Sequence, residues 1–239
     1  MKVLITGCNG FLGSSLTSHF SNLQFDVLGT SLTQRKVDNF NNIQYGDLRN
    51  IEFVRKLIYY FKPDIIINTV ALVDLDFCEK NPKKSHEINV LTLENIVNKI
   101  NDKTHLIHIS TDHLFNGKAS YYDEKDIPAP LNEYARTKLL AEKYCLSNHK
   151  NTTIVRTNII GKSPVYHKDT FAEWILSSLK QEKNINLFND YFFTPIEVNL
   201  LAKALNPIID NSEFGVFNIV GIDRCSKYKL PVFCAYPTI

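Results

Sequence analysis

The sequence predicts an α/β protein: a doubly wound, mostly parallel sheet over residues 1–157, with a smaller C-terminal lobe over 158–239 interleaved with it. Three observations predict it. Short apolar runs rich in β-branched residues recur along the chain and are nearly continuous, as strands buried on both faces should be. Helix-period patterns separate them, so each strand returns to the sheet through a right-handed crossover. The first run also leads directly into a glycine turn, "TGCNGFLG", with Gly7, Gly10 and Gly13 spaced three apart.

In chain order, KVLIT (2–6) is the first strand and residues 11–21 the first helix. DVLGT (26–30) follows, then a helix over 50–61, the strand DIIINTV (64–70) and a helix over 84–100. That helix gathers Ile88, Leu91 and Asn95 with Val90, Leu93 and Ile96 on one broad side. THLIHIS (104–110), a helix over 133–148 and TTIVR (152–156) complete the alternation. After residue 157 the pattern loosens. Helices near 170–181 and 197–208 flank an aromatic loop, NLFNDYFFTP, and no Gly-, Ser- or Pro-rich linker marks a boundary.

Composition narrows the function classes. The 239 residues are 44% hydrophobic and 22% charged, enough to bury a real core, and the formal charge of +2 comes without a basic block that would suggest nucleic acid. No apolar stretch approaches the ~18 residues a membrane span needs. The start of the chain does not read as a secretory signal. Five scattered cysteines show no metal-ligand spacing and read as reduced thiols in a cytoplasmic protein; no metal is expected.

The glycine turn departs from the strict G-x-G-x-x-G fingerprint, because its second glycine comes one residue later. Its frame is nevertheless that of a Rossmann-type βα unit: strand before, amphipathic helix after. Such a turn brings backbone close to a pyrophosphate whose charge lies at a helix N-terminus, so Gly7, Gly10, Phe11, Leu12 and Gly13 are expected to hold a dinucleotide. NAD-selective sites place a carboxylate at the end of the second strand, on the ribose 2′-hydroxyl. Here that strand ends Thr30-Ser31-Leu32, followed by Gln34-Arg35-Lys36. Ser31 and Arg35 suit a 2′-phosphate, since arginine binds one with paired hydrogen bonds; otherwise Arg35 and Lys36 only decorate a surface loop. NADP(H) is therefore expected over NAD(H).

A second constellation, "YARTK", sets Tyr134 and Lys138 one turn apart at the start of a helix. An ammonium beside a phenol favours the phenolate and lowers its pKa from about 10, which suits proton exchange at a carbonyl or alcohol oxygen. Ser110-Thr111-Asp112 ends a strand at the carboxyl edge of the sheet, where ligands bind in such folds. A Thr111 hydroxyl there reaches the same substrate oxygen.

Together these residues resemble the extended short-chain dehydrogenase/reductases of the NAD-dependent epimerase/dehydratase superfamily. More narrowly, the chain is similar to the dTDP-4-dehydrorhamnose reductase branch. The resemblance runs in order through GDLRN (46–50), DFCE (76–79), INV (88–90), STDHLFNG (110–117), PLNEYARTKLLAE (130–142), VRT (155–157) and NDYFFTP (189–195). It implies NADP(H)-dependent reduction of a nucleotide-linked 4-keto-6-deoxy sugar, with Tyr134 giving the proton as hydride arrives from the nicotinamide. It also implies that Lys138 tunes Tyr134 and holds the nicotinamide ribose, and that Thr111 hydrogen-bonds the sugar. Asp47 and Leu48 would meet the adenine, and Ala71 would line the cofactor pocket. Asn89 would support a proton relay. Asp112, His113 and Asn158 would line the substrate side. Bland alternatives stand beside two of these: Asp47 as a cap of the following helix, and Asn89 as a polar residue on a helix flank.

The chain departs from the branch where a pocket tryptophan is usual, since Asn158-Ile159-Ile160 follow Thr157, and where Phe193 and Thr194 replace small residues. Its tail over 229–239 carries Pro231 and Pro237 where an amphipathic helix is expected, as in a truncated lobe. Two other functions fit the same motifs: a nucleotide-sugar epimerase with bound NAD, and a non-catalytic regulatory subunit like the reductase-like subunit of methionine adenosyltransferase. The expected partners are a nucleotide sugar and a second copy of the chain in a homodimer.

Overall fold

A computed structural model describes residues 1–34, 40–163 and 169–231. The first half runs β1 (Lys2–Thr6), α1 (Phe11–Asn22), β2 (Asp26–Ser31), β3 (Ile43–Tyr45), α2 (Ile51–Phe61), β4 (Ile65–Asn68) and α3 (Leu75–Lys80). It continues with α4 (Pro82–His86), a π-helical turn (Glu87–Leu91), α5 (Thr92–Val97), β5 (His105–Ile109), a 3-10 turn (Asp112–Leu114), α6 (Glu133–Asn148) and β6 (Thr152–Arg156). The second half adds β7 (Ile159–Ile160), α7 (Phe171–Lys180), β8 (Phe192–Phe193), β9 (Ile196–Glu197), α8 (Val198–Asp210), β10 (Gly215–Asn218) and β11 (Cys225–Ser226).

Seven strands pair in parallel in the order β10-β6-β5-β4-β1-β2-β3. The direction of winding reverses between β1 and β4, which opens a crevice at their carboxyl ends. This is the doubly wound α/β fold that the alternation of runs predicts. On β1 the side chains divide by period two. Val3 and Ile5 join Leu16, Phe20, Leu201 and Leu205 from α1 and α8, while Leu4 joins Val54, Leu93, Leu106 and Ala141 beneath α2, α5 and α6. Each such side chain contributes about 1.5–3 kcal/mol when fully buried. Two elements after residue 157 return to this body, α8 against α1 and β10 on the sheet edge. Around α7, the pairs β8–β11 and β7–β9 surround a small separate core of Ile175, Phe193, Cys225 and Leu230.

Local chemistry sets where the helices start. The Asn50 side chain accepts from the N–H groups of Glu52 and Phe53, Asn132 accepts from Ala135, and Thr170 and Glu173 form a reciprocal capping box. The helix expected over 84–100 is instead three pieces, with Pro82 at the start of α4 and a π-helical turn at 87–91. A widened turn leaves the apolar period nearly unchanged, so the pattern reads as one helix. The tail beyond Pro231 lies outside the described residues.

Among the described residues one ion pair is deeply buried. Arg156, at the end of β6, donates to Glu142 of α6 through Nη2 at 2.8 Å and through Nε at 3.2 Å, and both side chains are almost fully enclosed. Removing one partner strands the other charge. Glu142→Ala is expected to lower the unfolding free energy by about 3–5 kcal/mol, whereas replacing both residues with Met recovers most of it. Urea unfolding of the three proteins checks this, and a single variant as stable as the parent would contradict it.

Candidate functional site

The glycine turn lies at the switch point of the sheet. Gly7 has φ +72°, a left-handed conformation, and a Cβ there would sit 2.9 Å from the Thr69 hydroxyl. At Gly13 a Cβ would sit 2.1 Å from the Gly7 carbonyl oxygen, so α1 can begin directly against the turn only with glycine at that position. Gly10 is the N-cap of α1 and brings no capping side chain; Phe11 and Leu12 open the helix. The backbone N–H groups of that first turn are left for an anion.

A cavity of about 350 Å3 extends from this turn, and Gly7, Gly10, Ser31, Asp47, Leu48 and Ala71 all line it. Thr30, Arg49, Val70 and Lys84 line it too, although sequence reasoning gave them no role. The Thr30 hydroxyl is buried without a hydrogen-bond partner among the described residues. The glycine cradle and this uncommitted hydroxyl fit a dinucleotide with its pyrophosphate at α1. Arg35 and Lys36, expected at its far end, lie outside the described residues. Ser31 turns inward, its hydroxyl donating to the Thr33 carbonyl at 3.2 Å and accepting from the Thr33 N–H at 3.3 Å.

Asp47 does not cap α2; Asn50 does. The Asp47 carboxylate instead accepts from Arg49, with Nη2 at 2.6 Å and Nε at 2.9 Å, and Arg49 reaches on to Glu87 at 3.4 Å. The Asn95 amide donates to the carbonyls of Leu48 and Arg49, fixing the same loop from α5. Asn89 is a brace as well. Its Oδ1 accepts from the Leu72 N–H at 2.7 Å, and its Nδ2 donates to Leu72 O at 3.2 Å and to the Thr137 hydroxyl at 3.0 Å. It ties the Ala71–Leu72 loop to α6 one residue before Lys138, from inside the π-helical turn.

Thr111 lies close enough to Tyr134 for its hydroxyl to favour the phenolate, while the Thr111 Oγ1 itself accepts from the His113 N–H at 3.2 Å. Lys138 points elsewhere: its Nζ donates to the Ile109 carbonyl at 2.6 Å and meets His108 Nε2 at 3.0 Å. A second cavity of about 290 Å3 lies beyond Phe11, lined by His113, Asn158, Tyr191, Phe193 and Lys227 among others. His113 packs edge-on to Tyr134 and meets the Tyr191 hydroxyl with Nε2 at 3.0 Å. Asn158 donates to Asp112 Oδ2 at 2.9 Å, and Lys227 sits 4.2 Å above the Tyr191 ring. Tyr191 and Lys227 were missed from sequence. Tyr191 stands inside NDYFFTP, but its contact with His113 spans 78 residues.

The family model for the RmlD substrate binding domain matches residues 1–235. The chain belongs to this family. It is 32% identical to the dTDP-4-dehydrorhamnose reductase of Escherichia coli, over 98% of this chain and 77% of that protein. It is 31% identical to methionine adenosyltransferase 2 subunit beta of Xenopus tropicalis, over 96% of this chain and 70% of that one. Among solved structures, the dTDP-4-dehydrorhamnose reductase of Bacillus anthracis in complex with NADP superposes with a TM-score of 0.83 at 26% identity, covering 98% of this chain and 79% of that one.

In this RmlD-family chain burial governs the charges of the site. It pushes the Tyr134 phenol up to about 12, against the Thr111 hydrogen bond, which lowers it. The expectation of a phenol lowered by Lys138 is therefore corrected: the amine is directed to Ile109 and His108, and burial outweighs the favourable contact. Burial also drives Lys138 down to about 8 and keeps the Asp112 carboxyl raised. Tyr191 is pushed up to about 12 by burial and by Asp112. Among the described residues no cluster of His, Cys, Asp or Glu is placed to hold a metal, and no helix is long and apolar enough to cross a membrane.

The Lys138 shift has a sign that can be measured. Below pH 8 the folded and unfolded chains both carry the charge, and the burial cost is complete. Between about 8 and the ordinary value of 10.5 the unfolded chain binds the extra proton, so stability rises with pH. Relative to Lys138→Met, the parent protein should gain about 3 kcal/mol of unfolding free energy across that window. Denaturant unfolding of both proteins at a series of pH values tests this; parallel curves would refute it.

Proposed function

We propose that this chain is an NADP(H)-dependent reductase of a nucleotide-linked 4-keto-6-deoxy sugar, with residues 1–157 holding the cofactor and 158–239 forming most of the substrate side. The observation that carries the reading is the approach of Thr111 to Tyr134, with His113 packed edge-on to that phenol and itself lining the second cavity, while the glycine turn cradles the first. The bound cofactor would supply hydride to the carbonyl carbon. A phenol held near 12 keeps its proton at neutral pH, so Tyr134 is poised as the acid that protonates the developing alkoxide. Thr111 hydrogen-bonds that same oxygen and fixes the direction of proton transfer. His113, with Tyr191 as its partner, and Asn158, held by Asp112, flank the sugar ring. Lys227 stands over the Tyr191 ring, where a diphosphate would meet a cation.

NADP(H) is preferred because β2 ends in Thr30 and Ser31 without a carboxylate to meet a ribose 2′-hydroxyl. The NADP-bound Bacillus anthracis relative supports the same choice. A second reading, a dinucleotide-binding subunit without catalysis, is favoured by the likeness to methionine adenosyltransferase 2 subunit beta.

An oxidation assay with NADPH and NADH over a panel of nucleotide-linked 4-keto sugars separates these readings. The reductase turns over with NADPH, and Tyr134→Phe loses about 10²–10⁴-fold in kcat while still binding NADPH. Tight NADPH binding with no sugar reduced favours the subunit, and NAD that co-purifies with the protein favours a nucleotide-sugar epimerase.

A further inference from the structure

Beneath the glycine turn, a row of polar side chains crosses the sheet. Thr6, Asn68 and His108 are direct register partners on β1, β4 and β5, and their side chains leave the same face of the sheet. Two residues earlier on that face, the register partners are Leu4, Ile66 and Leu106, all in the core beneath α2, α5 and α6. The polar row is as deeply buried as the apolar one, with no member more than 1% exposed. The Thr6 hydroxyl donates to Asn68 Oδ1 at 2.5 Å, Asn68 Nδ2 meets His108 Nδ1 at 3.0 Å, and His108 Nε2 meets Lys138 Nζ at 3.0 Å.

The donors and acceptors along this row fix one another. Asn68 is the only hydrogen-bond partner of the Thr6 hydroxyl among the described residues, so Oδ1 takes the hydroxyl hydrogen and the amide presents its N–H to His108. Nδ1 must then accept. Burial keeps His108 neutral, so its one ring proton lies on Nε2. An N–H on Nε2 needs a lone pair opposite, which a lysine side chain offers only as the neutral amine. A charged Lys138 needs the reverse: the amide turned over, Nδ1 protonated, and the Thr6 hydroxyl hydrogen deprived of its Asn68 acceptor, with only the Thr30 hydroxyl of β2, its register partner, beside it.

We propose that the Thr6–Asn68–His108 row is a positioning device for Lys138, which favours its neutral form and couples its protonation to the hydroxyl beneath the cofactor turn. Burial of Lys138 acts in the same direction. Glu142 and Cys145 on its own helix act the other way, and the Glu142 carboxylate is already held by Arg156 of β6. The consequence rests on the proposed function, because the charge of Lys138 bears on Tyr134 and on the cofactor ribose. The inference itself does not, since it concerns the protein alone.

The test is nuclear magnetic resonance on the cofactor-free full chain, following the His108 ring nitrogens and the ¹³Cε-labelled lysines. Lys138→Met and His108→Gln identify the two signals. Above the Lys138 midpoint of about 8, where the amine is neutral, the parent protein is expected to show the Nε2–H tautomer. Thr6→Val is expected to switch His108 to Nδ1–H and to raise the Lys138 titration midpoint by about one pH unit. An Nδ1–H tautomer in the parent above that midpoint overturns the proposal without any variant. So does a Thr6→Val protein whose Lys138 midpoint stays in place or falls. A merely structural role for Thr6, three side chains away, predicts no such movement. Absence of sugar reduction leaves both readouts intact, which keeps this proposal separable from the assigned activity.

Discussion

A parallel sheet covered by helices on both faces has almost nowhere to put a polar side chain. Along most of each strand the environment is apolar on either side, and an unpaired polar group costs kilocalories. At the carboxyl ends the strands run out into loops, and there the constraint relaxes. Thr6, Asn68, His108, Thr111 and Asp112 all lie at or near those ends, on three adjacent strands and the loop that follows the last of them. The site is therefore located by where burial stops being purely apolar. The glycine turn and the catalytic candidates share this carboxyl edge of the sheet.

The same dry environment explains why the ionisable groups behave as they do. Tyr134 and Lys138 are pushed in opposite directions, the phenol up and the amine down, yet in both the neutral form is what the interior favours. Where a full charge is retained, as in Arg156 and Glu142, it is matched by a partner and several hydrogen bonds. That pair joins β6 to α6, the helix that carries Tyr134 and Lys138, so electrostatic matching also sets where that helix sits. Asn89 and Asn95 do the equivalent on the cofactor side with neutral amides, each holding a loop by its backbone.

Much of this was legible in the sequence, for reasons that differ by element. The strands at 2–6 and 152–156 and the helix at 133–148 fall where their patterns place them, because continuous apolar runs and a capping Asn132 leave few alternatives. β3 and α3 were not legible, being too short for a period to declare itself. The pairing of Thr111 with Tyr134 follows from a strand end and a helix start at the same sheet edge. The direction of Lys138 does not follow. A four-residue spacing says which face of the helix a side chain leaves, but not that a carbonyl and an imidazole on the neighbouring strand will take it. The His113–Tyr191 contact was hidden for a related reason, since no local pattern links residues 78 positions apart.

Asp47 shows how a residue can fall at the cavity where the sequence places it and still be read incompletely. It lines the cavity beside the glycine turn, but its carboxylate is held by the Arg49 guanidinium, which keeps it below the usual carboxylate range. Both side chains are about one-third exposed, so the pair contributes little to stability. Its value is geometric. A lone aspartate at the rim would swing among rotamers, whereas a forked contact to Arg49 fixes the plane of the carboxylate, and Glu87 anchors Arg49 in turn. An adenine amine meeting Asp47 would find an acceptor already oriented, and would share its oxygens with the Arg49 side chain and backbone N–H. Recognition at that end of the cavity then depends on an arginine two residues away as much as on the aspartate itself.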